Sequence, residues 1–388
     1  MSAASSLTFR QPPQISLGPN VAASALESWV RGPYRRLWVL TAPPVLALAE
    51  QVLAPWREAG AAIEIVTDLA AEPTTAQCEA LRARATRFAP DLVIGLGGGS
   101  VLDVAKVVAA LHDRTEPATD FYGINVLEAR RTKLICIPTT AGTGSEVSPN
   151  SLLFDDATQT KKAIISPALI PDAAIVDAAL MTGLPPSFTA TTGIDALAHC
   201  LEAYASRNAH PTVDLWALAG VALVGEKLLT AVNHGNDLAA RHALATASLY
   251  GGLSLGPVNT NGVHALAYPL SGALHLAHGI SIALMLPAVV AFNVPAQPTR
   301  FAALARALGA DPDHCADDAT TAAQLPDLLT RLITASGIQL GLRHHGVTAA
   351  MIPTLADEAL LVTRLLQNNP RPVTRDDAIA IYQAAFEA

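Results

Sequence analysis

Asp195 and His199 stand four residues apart in TTGIDALAHCLEAY, and His264 and His278 stand fourteen apart in VHALAYPLSGALHLAHG. On a helix, a four-residue spacing puts a carboxylate and an imidazole on one face. The neighbours of the first pair are apolar, so it points at something buried or at the domain cleft. Taken alone, a D-x-x-x-H pair is accounted for by an Asp–His hydrogen bond between packed helices. The second pair changes that reading. Both of its histidines fall in the run His242 to Thr299, 58 residues without an Asp, Glu, Lys or Arg. A stretch so free of charge belongs in the interior, where an imidazole needs a partner. One carboxylate with three imidazoles is a donor set for a divalent ion such as Fe(II), Zn(II), Ni or Co, and the carboxylate argues against a thiolate structural site. Asp195, His199, His264 and His278 are therefore the expected metal ligands. An ion held by all four would reach a substrate oxygen by expanding its coordination. His210, His242 and His275 are read as structural histidines.

Two glycine loops suggest a second ligand. Gly97-Gly98-Gly99-Ser100 lies where the apolar run DLVIGLGGGS meets VLDVAKVVAAL. At such a strand-to-helix turn, bare backbone N–H groups and the helix start favour a phosphate. The pattern is neither the GxGxxG fingerprint nor a Walker loop. Thr139-Thr140-Ala141-Gly142-Thr143-Gly144-Ser145 follows another strand and offers hydroxyls for a ribose, phosphate or amide; the simpler reading is a βα turn with a Ser or Thr cap. Two such loops at the ends of parallel strands favour one elongated ligand such as a dinucleotide. Lys161 is a candidate to neutralise part of it, although a lone lysine is usually solvated surface.

The elements that must carry these residues follow from the apolar pattern. Residues 7–17 read as an edge strand interrupted by Pro12 and Pro13. Strands are expected at 35–42, 61–69, 91–100, 133–140 and 173–178, with helices between, the last strand being AAIVDA. Alternating strands and helices imply a mainly parallel sheet covered on both faces. From about Ser187 onward the periodicity is helical. The expectation is an α/β N-terminal dinucleotide-binding domain over residues 1–186 and an all-α C-terminal metal-binding domain over 187–388, divided at Pro185-Pro186. The run Gly279 to Ala296 has membrane-like hydropathy but is interrupted by Pro287, Asn293 and Pro295, so it reads as a buried helix followed by a turn.

Composition narrows the class. The 388 residues are 51% hydrophobic and only 15% charged, with net charge −8. No basic block invites nucleic acid. Cys78, Cys136, Cys200 and Cys315 lack paired metal spacing and read as reduced thiols, and MSAASSLTFRQPPQ has no signal-peptide core, so a cytoplasmic protein with no membrane partner is expected.

GGGSVLDVAK, IPTTAGTGSEV, LPPSFTATTGIDALAHCLEAY and VHALAYPLSGALHLAHG together resemble the iron-containing (group III) alcohol dehydrogenases, over nearly the whole chain from about residue 5 to NNPRPVT. The resemblance implies a nicotinamide cofactor, NAD or NADP, and a divalent metal, with Fe2+ ahead of Zn2+. It also implies a homodimer or higher homo-oligomer. By position, Asp195, His199, His264 and His278 match the metal ligands, with His264 and His278 at the catalytic centre. Gly98, Gly99, Ser100 and Asp103 match the phosphate loop, Thr140, Thr143 and Gly144 the second cofactor loop, and Lys161 the cofactor lysine. Two positions depart from the family. Tyr268 replaces a histidine of HALAHPLG, and a phenol with a reference pKa of ~10 is a poor base near neutrality, although it can donate or relay a proton. Ala42 stands where many NAD-preferring members carry an acid. The implied activity is hydride transfer between a small alcohol or aldehyde and nicotinamide, with the metal as Lewis acid. Polyol dehydrogenase, maleylacetate-type reductase and hydroxyacid–oxoacid transhydrogenase are the rivals on this architecture; a nucleotide- or metal-binding protein without catalysis is a rival from another class.

Overall fold

The structure is a computed structural model that describes residues 6–388 apart from Ala71, Gln159, His275, Pro312, His314 and Ala316; the expectation for His275 thus lies outside the described residues. Nine strands run β1 Gln14–Gly18, β2 Arg36–Leu40, β3 Ala62–Val66, β4 Leu92–Gly97, β5 Gly123–Ile124, β6 Lys133–Pro138, β7 Asn150–Asp155, β8 Thr160–Ile165 and β9 Ala173–Asp177. The first four helices are α1 Ala22–Arg31, α2 Leu46–Glu58, α3 Thr75–Phe88 and α4 Gly99–Leu111. They are followed by α5 Pro186–Ala205, α6 Pro211–Asn233, α7 Leu238–Leu255, α8 Gly262–Leu274, α9 His278–Asn293 and α10 Pro298–Ala307. The last are α11 Asp318–Ala323, α12 Leu325–Ala335, α13 Ile352–Leu360, α14 Thr363–Leu366 and α15 Arg375–Glu387.

The chain divides into two compact units. One comprises Phe9–Thr140 and Gly144–Leu184, the other Pro185–Ala388 with Ala141–Thr143 and the N-terminal residues up to Thr8. In the first unit six strands form a parallel sheet in the order β1-β9-β6-β4-β2-β3. The two-residue alternation of a strand sorts its side chains by face. Leu37, Val39, Leu92, Ile94, Leu96, Ile135 and Ile137 pack with Leu26, Leu53 and Trp56 on one side. Trp38, Leu40, Val93, Leu134 and Cys136 pack with α3 and α4 on the other. Both faces are buried, which is why these strands read as continuous apolar runs. The edge strand β1 begins only after Pro12 and Pro13.

A second, three-stranded sheet, β5-β8-β7, escaped the sequence reading. Its strands β7 and β8 form an antiparallel hairpin, Asn150–Asp155 against Thr160–Ile165. Lys161, Lys162 and the polar turn between the strands hide the apolar alternation that would reveal it.

The second unit is helical, with no strand among its described residues. Helix α9 continues through Pro287 and stops at Asn293. The proline therefore lies within the helix, which gives up one backbone hydrogen bond there. Cys78, Cys136 and Cys200 are buried, and burial pushes each thiol up to about 12. His210 caps α6, its Nδ1 accepting from Thr212 N at 3.2 Å.

Candidate metal centre and glycine loops

Asp195 and His199 lie on α5, His264 near the start of α8, and His278 is the first residue of α9. The donor atoms of Asp195, His199 and His264 lie within 4.8 Å of one another. His278 joins them: its Nε2 is 3.4 Å from Asp195 Oδ1, against 3.6 Å for His264 Nε2 and 3.9 Å for His199 Nε2. All four expected ligands thus converge on one carboxylate oxygen. The rings of His199 and His264 stack with centroids 4.6 Å apart.

The helices reach this proximity because small residues let them. A Cβ at Gly279 would stand 2.6 Å from the Thr191 carbonyl oxygen, so only glycine beside His278 lets α9 start so close to α5.

The unpartnered polar atoms of the cluster suit an ion. Asp195 Oδ1 and His264 Nε2 are both buried and have no hydrogen-bond partner among the described residues. Two such atoms facing each other carry a desolvation cost of about 1–3 kcal/mol each, which a shared cation would relieve. The outer nitrogens are already engaged. His264 Nδ1 donates to Glu202 Oε2, and His199 Nδ1 faces the Gly142 carbonyl at 3.2 Å. Each bond holds the ring in the tautomer whose Nε2 lone pair points inward. Burial opposes the charge on Asp195, but His199, His278 and His264 hold its carboxyl well below the usual range. Burial takes the His199 imidazole down to about 4. For His264 burial acts the same way, yet Glu202 and Asp195 outweigh it and raise the ring to about 9.

Glu202 was not singled out in the sequence, although it lies in the same motif three residues beyond His199. It is buried. Besides holding His264, its Oε1 accepts from Asn261 N at 3.1 Å and Val263 N at 2.7 Å, satisfying the first turn of α8. Asn368 supports the same corner through the Thr260 carbonyl, at 3.0 Å. Tyr268 sits one turn beyond His264, its ring 6.3 Å from that of His278. Burial pushes its phenol up, and Arg364 beside it works in the opposite direction. His242 Nδ1 is buried without a hydrogen-bond partner among the described residues, and His242 is not part of the quartet.

In the α/β unit, β4 delivers Gly97 and Gly98 to the start of α4, with Gly99 and Ser100 in its first turn and Gly98 as its N-cap. Asp103 points into the protein, its carboxylate accepting from Ser145 Oγ at 2.5 Å and from Leu152 N at 2.9 Å. It therefore ties the first glycine loop to the second and to β7. The buried Lys106 does similar work, donating to the carbonyls of Ser148 at 3.0 Å and Asn150 at 2.8 Å. Thr140 lies beside Gly98, while Gly144 has φ +59°. Between them, residues 141–143 pack in the helical unit, where a Cβ on Gly142 would stand 2.8 Å from Thr192 Cβ. Lys161 Nζ is 2.6 Å from Glu72 Oε1, so in this structure the lysine is held by an ion pair. Ala42 packs against the core.

Comparison with known proteins agrees with this geometry. Residues 12–178 match the family model of iron-containing alcohol dehydrogenase, and residues 189–386 match the C-terminal model of the Fe-containing alcohol dehydrogenase family. Long-chain-alcohol dehydrogenase 1 of Geobacillus thermodenitrificans is 38% identical over 91% of this chain and 90% of its own length. The crystal structure of a 1,3-propanediol oxidoreductase superposes with TM-score 0.93 at 30% identity, covering 98% of this chain and 100% of that one. Sulfoacetaldehyde reductase from Bifidobacterium kashiwanohense, solved in complex with NAD+, gives TM-score 0.88 at 26% identity, covering 99% of this chain and 100% of that one. The chain belongs to the iron-containing alcohol dehydrogenase family, oxidoreductases that act on CH–OH groups.

Proposed function

We propose that this enzyme interconverts a short alcohol and its aldehyde or ketone using NAD or NADP, with Fe2+ or Zn2+ held by Asp195, His199, His264 and His278. The observation that carries the reading is the pair of buried, unpartnered atoms Asp195 Oδ1 and His264 Nε2, 3.6 Å apart and flanked by two more imidazoles. Such a donor set fits a divalent ion of borderline softness. When bound, that ion supplies Lewis acidity toward a substrate oxygen, and the nicotinamide supplies or takes the hydride.

The protein's own groups do the rest. Glu202 and the Gly142 carbonyl orient the imidazoles. The uncharged segment from His242 to Thr299 forms apolar walls that exclude water and sharpen local electrostatics. Gly98, Gly99 and Ser100 offer backbone N–H groups at the start of α4 for a pyrophosphate, and Thr140, Thr143 and Gly144 contribute the second loop. Asp103 positions these loops, and Lys161 would exchange Glu72 for a cofactor phosphate. Tyr268 has a hydroxyl suited to donating a hydrogen bond to a substrate oxygen, not to acting as a free base.

The test is to quantify metal in protein purified without chelator and to follow NADH and NADPH oxidation with a panel of small aldehydes. Stoichiometric iron or zinc with chelator-sensitive turnover is the expected result. Undiminished turnover after complete metal removal, or in a folded His264→Ala protein, refutes it.

A further inference from the structure

The stretch NNPRPVT near the end of the chain takes no part in the chemistry described so far, yet both of its asparagines are buried, Asn369 completely. Asn369 and Asn293, the last residue of α9, exchange a pair of amide hydrogen bonds: Asn293 Nδ2 donates to Asn369 Oδ1 at 2.9 Å, and Asn369 Nδ2 donates to Asn293 Oδ1 at 2.8 Å. Asn369 Nδ2 also donates to the Arg371 carbonyl at 2.7 Å, and the Arg371 guanidinium lies over the Phe292 ring, 4.2 Å from its centroid. The Asn369 side chain rests against the first residue of α8, where a Cβ on Gly262 would stand 2.5 Å from its Oδ1. Asn368 reaches the third helix. Besides donating to the Thr260 carbonyl just ahead of α8, it accepts at Oδ1 from Asn208 Nδ2 at 2.9 Å, and its backbone carbonyl accepts from Arg207 N at 2.9 Å, just beyond the end of α5. Two consecutive residues thus hold the ends of α5, α8 and α9, the helices that carry the quartet.

Neutral hydrogen bonds of this kind add little net stability, because each replaces one made with water. What a buried, fully engaged amide pair fixes is register, since its donors and acceptors have direction and an apolar contact has none. Register is what the quartet needs. Sliding a helix by one residue moves a side chain by about 1.5 Å and turns it by ~100°, against a tolerance of about 0.2 Å in a metal–ligand distance. His264 lies two residues after Gly262, and His278 is the first residue of the helix that Asn293 ends. We infer that Asn369 is a positioning residue for the metal centre: its amide pair with Asn293, seated on Gly262, sets the register of α8 against α9 and so the placement of His264 relative to His278. The inference rests on the metal quartet proposed above.

The experiment measures Zn2+ affinity by competition with a chelator, and the visible absorption spectrum of Co2+-loaded protein. It compares wild type with Asn369→Ala, Asn293→Ala, the double variant, and Leu304→Ala, which removes a fully buried side chain from α10, a helix bearing none of the four ligands. Melting curves and hydrogen exchange of the metal-free proteins are recorded alongside. A purely structural loss lowers the melting temperature but leaves the affinity of the folded protein unmoved. Asn369→Ala is expected to weaken Zn2+ binding by about tenfold or more and to alter the Co2+ spectrum. Leu304→Ala, melting as low or lower, should bind Zn2+ within about twofold of wild type. Asn293→Ala should resemble Asn369→Ala, and the double variant should lose no more than the worse single one, because both substitutions break the same pair. Without metal, exchange should quicken over residues 260–266 in Asn369→Ala. An Asn369→Ala protein that binds Zn2+ within about twofold of wild type with an unchanged Co2+ spectrum overturns the inference, as do affinities that follow melting temperature across all the variants. If Asn369→Ala does not fold, Asn293→Ala decides by the same criteria. If wild type binds neither Zn2+ nor Co2+, the proposed function falls instead; faster exchange confined to residues 260–266 in Asn369→Ala then still supports the register role, and unchanged exchange there overturns it.

Discussion

Replacing Glu202 by Gln tests how the metal centre is organised. In the native protein one carboxylate does two tasks: Oε1 accepts backbone N–H groups at the start of α8, at 2.7 Å from Val263 N and 3.1 Å from Asn261 N, and Oε2 accepts from His264 Nδ1. Glutamine keeps the first acceptor but puts an NH2 group in place of the second. His264 must then accept at Nδ1 and carry its proton on Nε2, the atom that faces Asp195 at 3.6 Å. The ring would present a donor where the ion needs a lone pair. Loss of a charge-assisted hydrogen bond is worth about 1.5–3 kcal/mol, matching the roughly 10–100-fold loss of metal affinity typical when such an orienting partner is removed. Competition titration of metal-free protein with Zn2+ or anaerobic Fe2+ against a chelator measures this directly. The melting temperature of Glu202→Gln should fall by only a few degrees, because the α8 cap survives; Glu202→Ala loses both functions and should fall further. A Glu202→Gln protein that binds metal within twofold of wild type would refute the reasoning.

Three other outcomes are expected. His264, raised to about 9 in the metal-free protein, must lose a proton when it ligates, so affinity should rise about tenfold per pH unit from 7 to 9 and then level off; calorimetry in buffers of different ionisation enthalpy should find close to one proton released at pH 7, and finding none would discard this. Gly97→Ala places its Cβ 2.8 Å from Val101 Cγ2 and should destabilise by about 1–3 kcal/mol, whereas Gly98→Ala meets Thr140 at an ordinary 3.4 Å and should keep its melting temperature while raising the KM for nicotinamide cofactor; equal thermal losses would contradict the distinction. Burial raises the Glu146 carboxyl from 4.5 to about 7. Its folded pKa exceeds the unfolded one, so its stabilising contribution is complete below about 4.5 and lost as pH rises through 7, on the order of 3 kcal/mol; Glu146→Gln should flatten unfolding free energy over that window, and an unchanged slope would be the contrary result.

Much of this was legible because the chemistry sits at helical spacings in apolar surroundings. The i, i+4 pair of α5 and the two histidines of the uncharged run met at one oxygen, and five of the six strands of the large sheet, β2, β3, β4, β6 and β9, fell where apolar runs put them. What was missed has physical reasons too. Glu202 is an ordinary acid on a helix until the fold brings the start of α8 onto it. The hairpin β7–β8 is short, and its apolar alternation is diluted by lysines and turn residues. Asp103 reads as part of a phosphate loop; its bonds to Ser145 and Leu152, with those of the neighbouring Lys106 to Ser148 and Asn150, brace that loop from behind, which no local pattern reveals.

The uncharged segment has a consequence beyond the active site. Between Arg241 and Arg300 there is no lysine or arginine, so trypsin would release one long peptide carrying both His264 and His278. In the unfolded chain the same segment is a long apolar stretch with no charged gatekeeper to discourage self-association. Heat-unfolded molecules will therefore coalesce through it faster than they refold. Shelf life and thermal inactivation of this enzyme will follow the rate at which α7, α8 and α9 come apart, a kinetic quantity, and a tightly held metal ion that slows their separation will protect the protein by delaying that step.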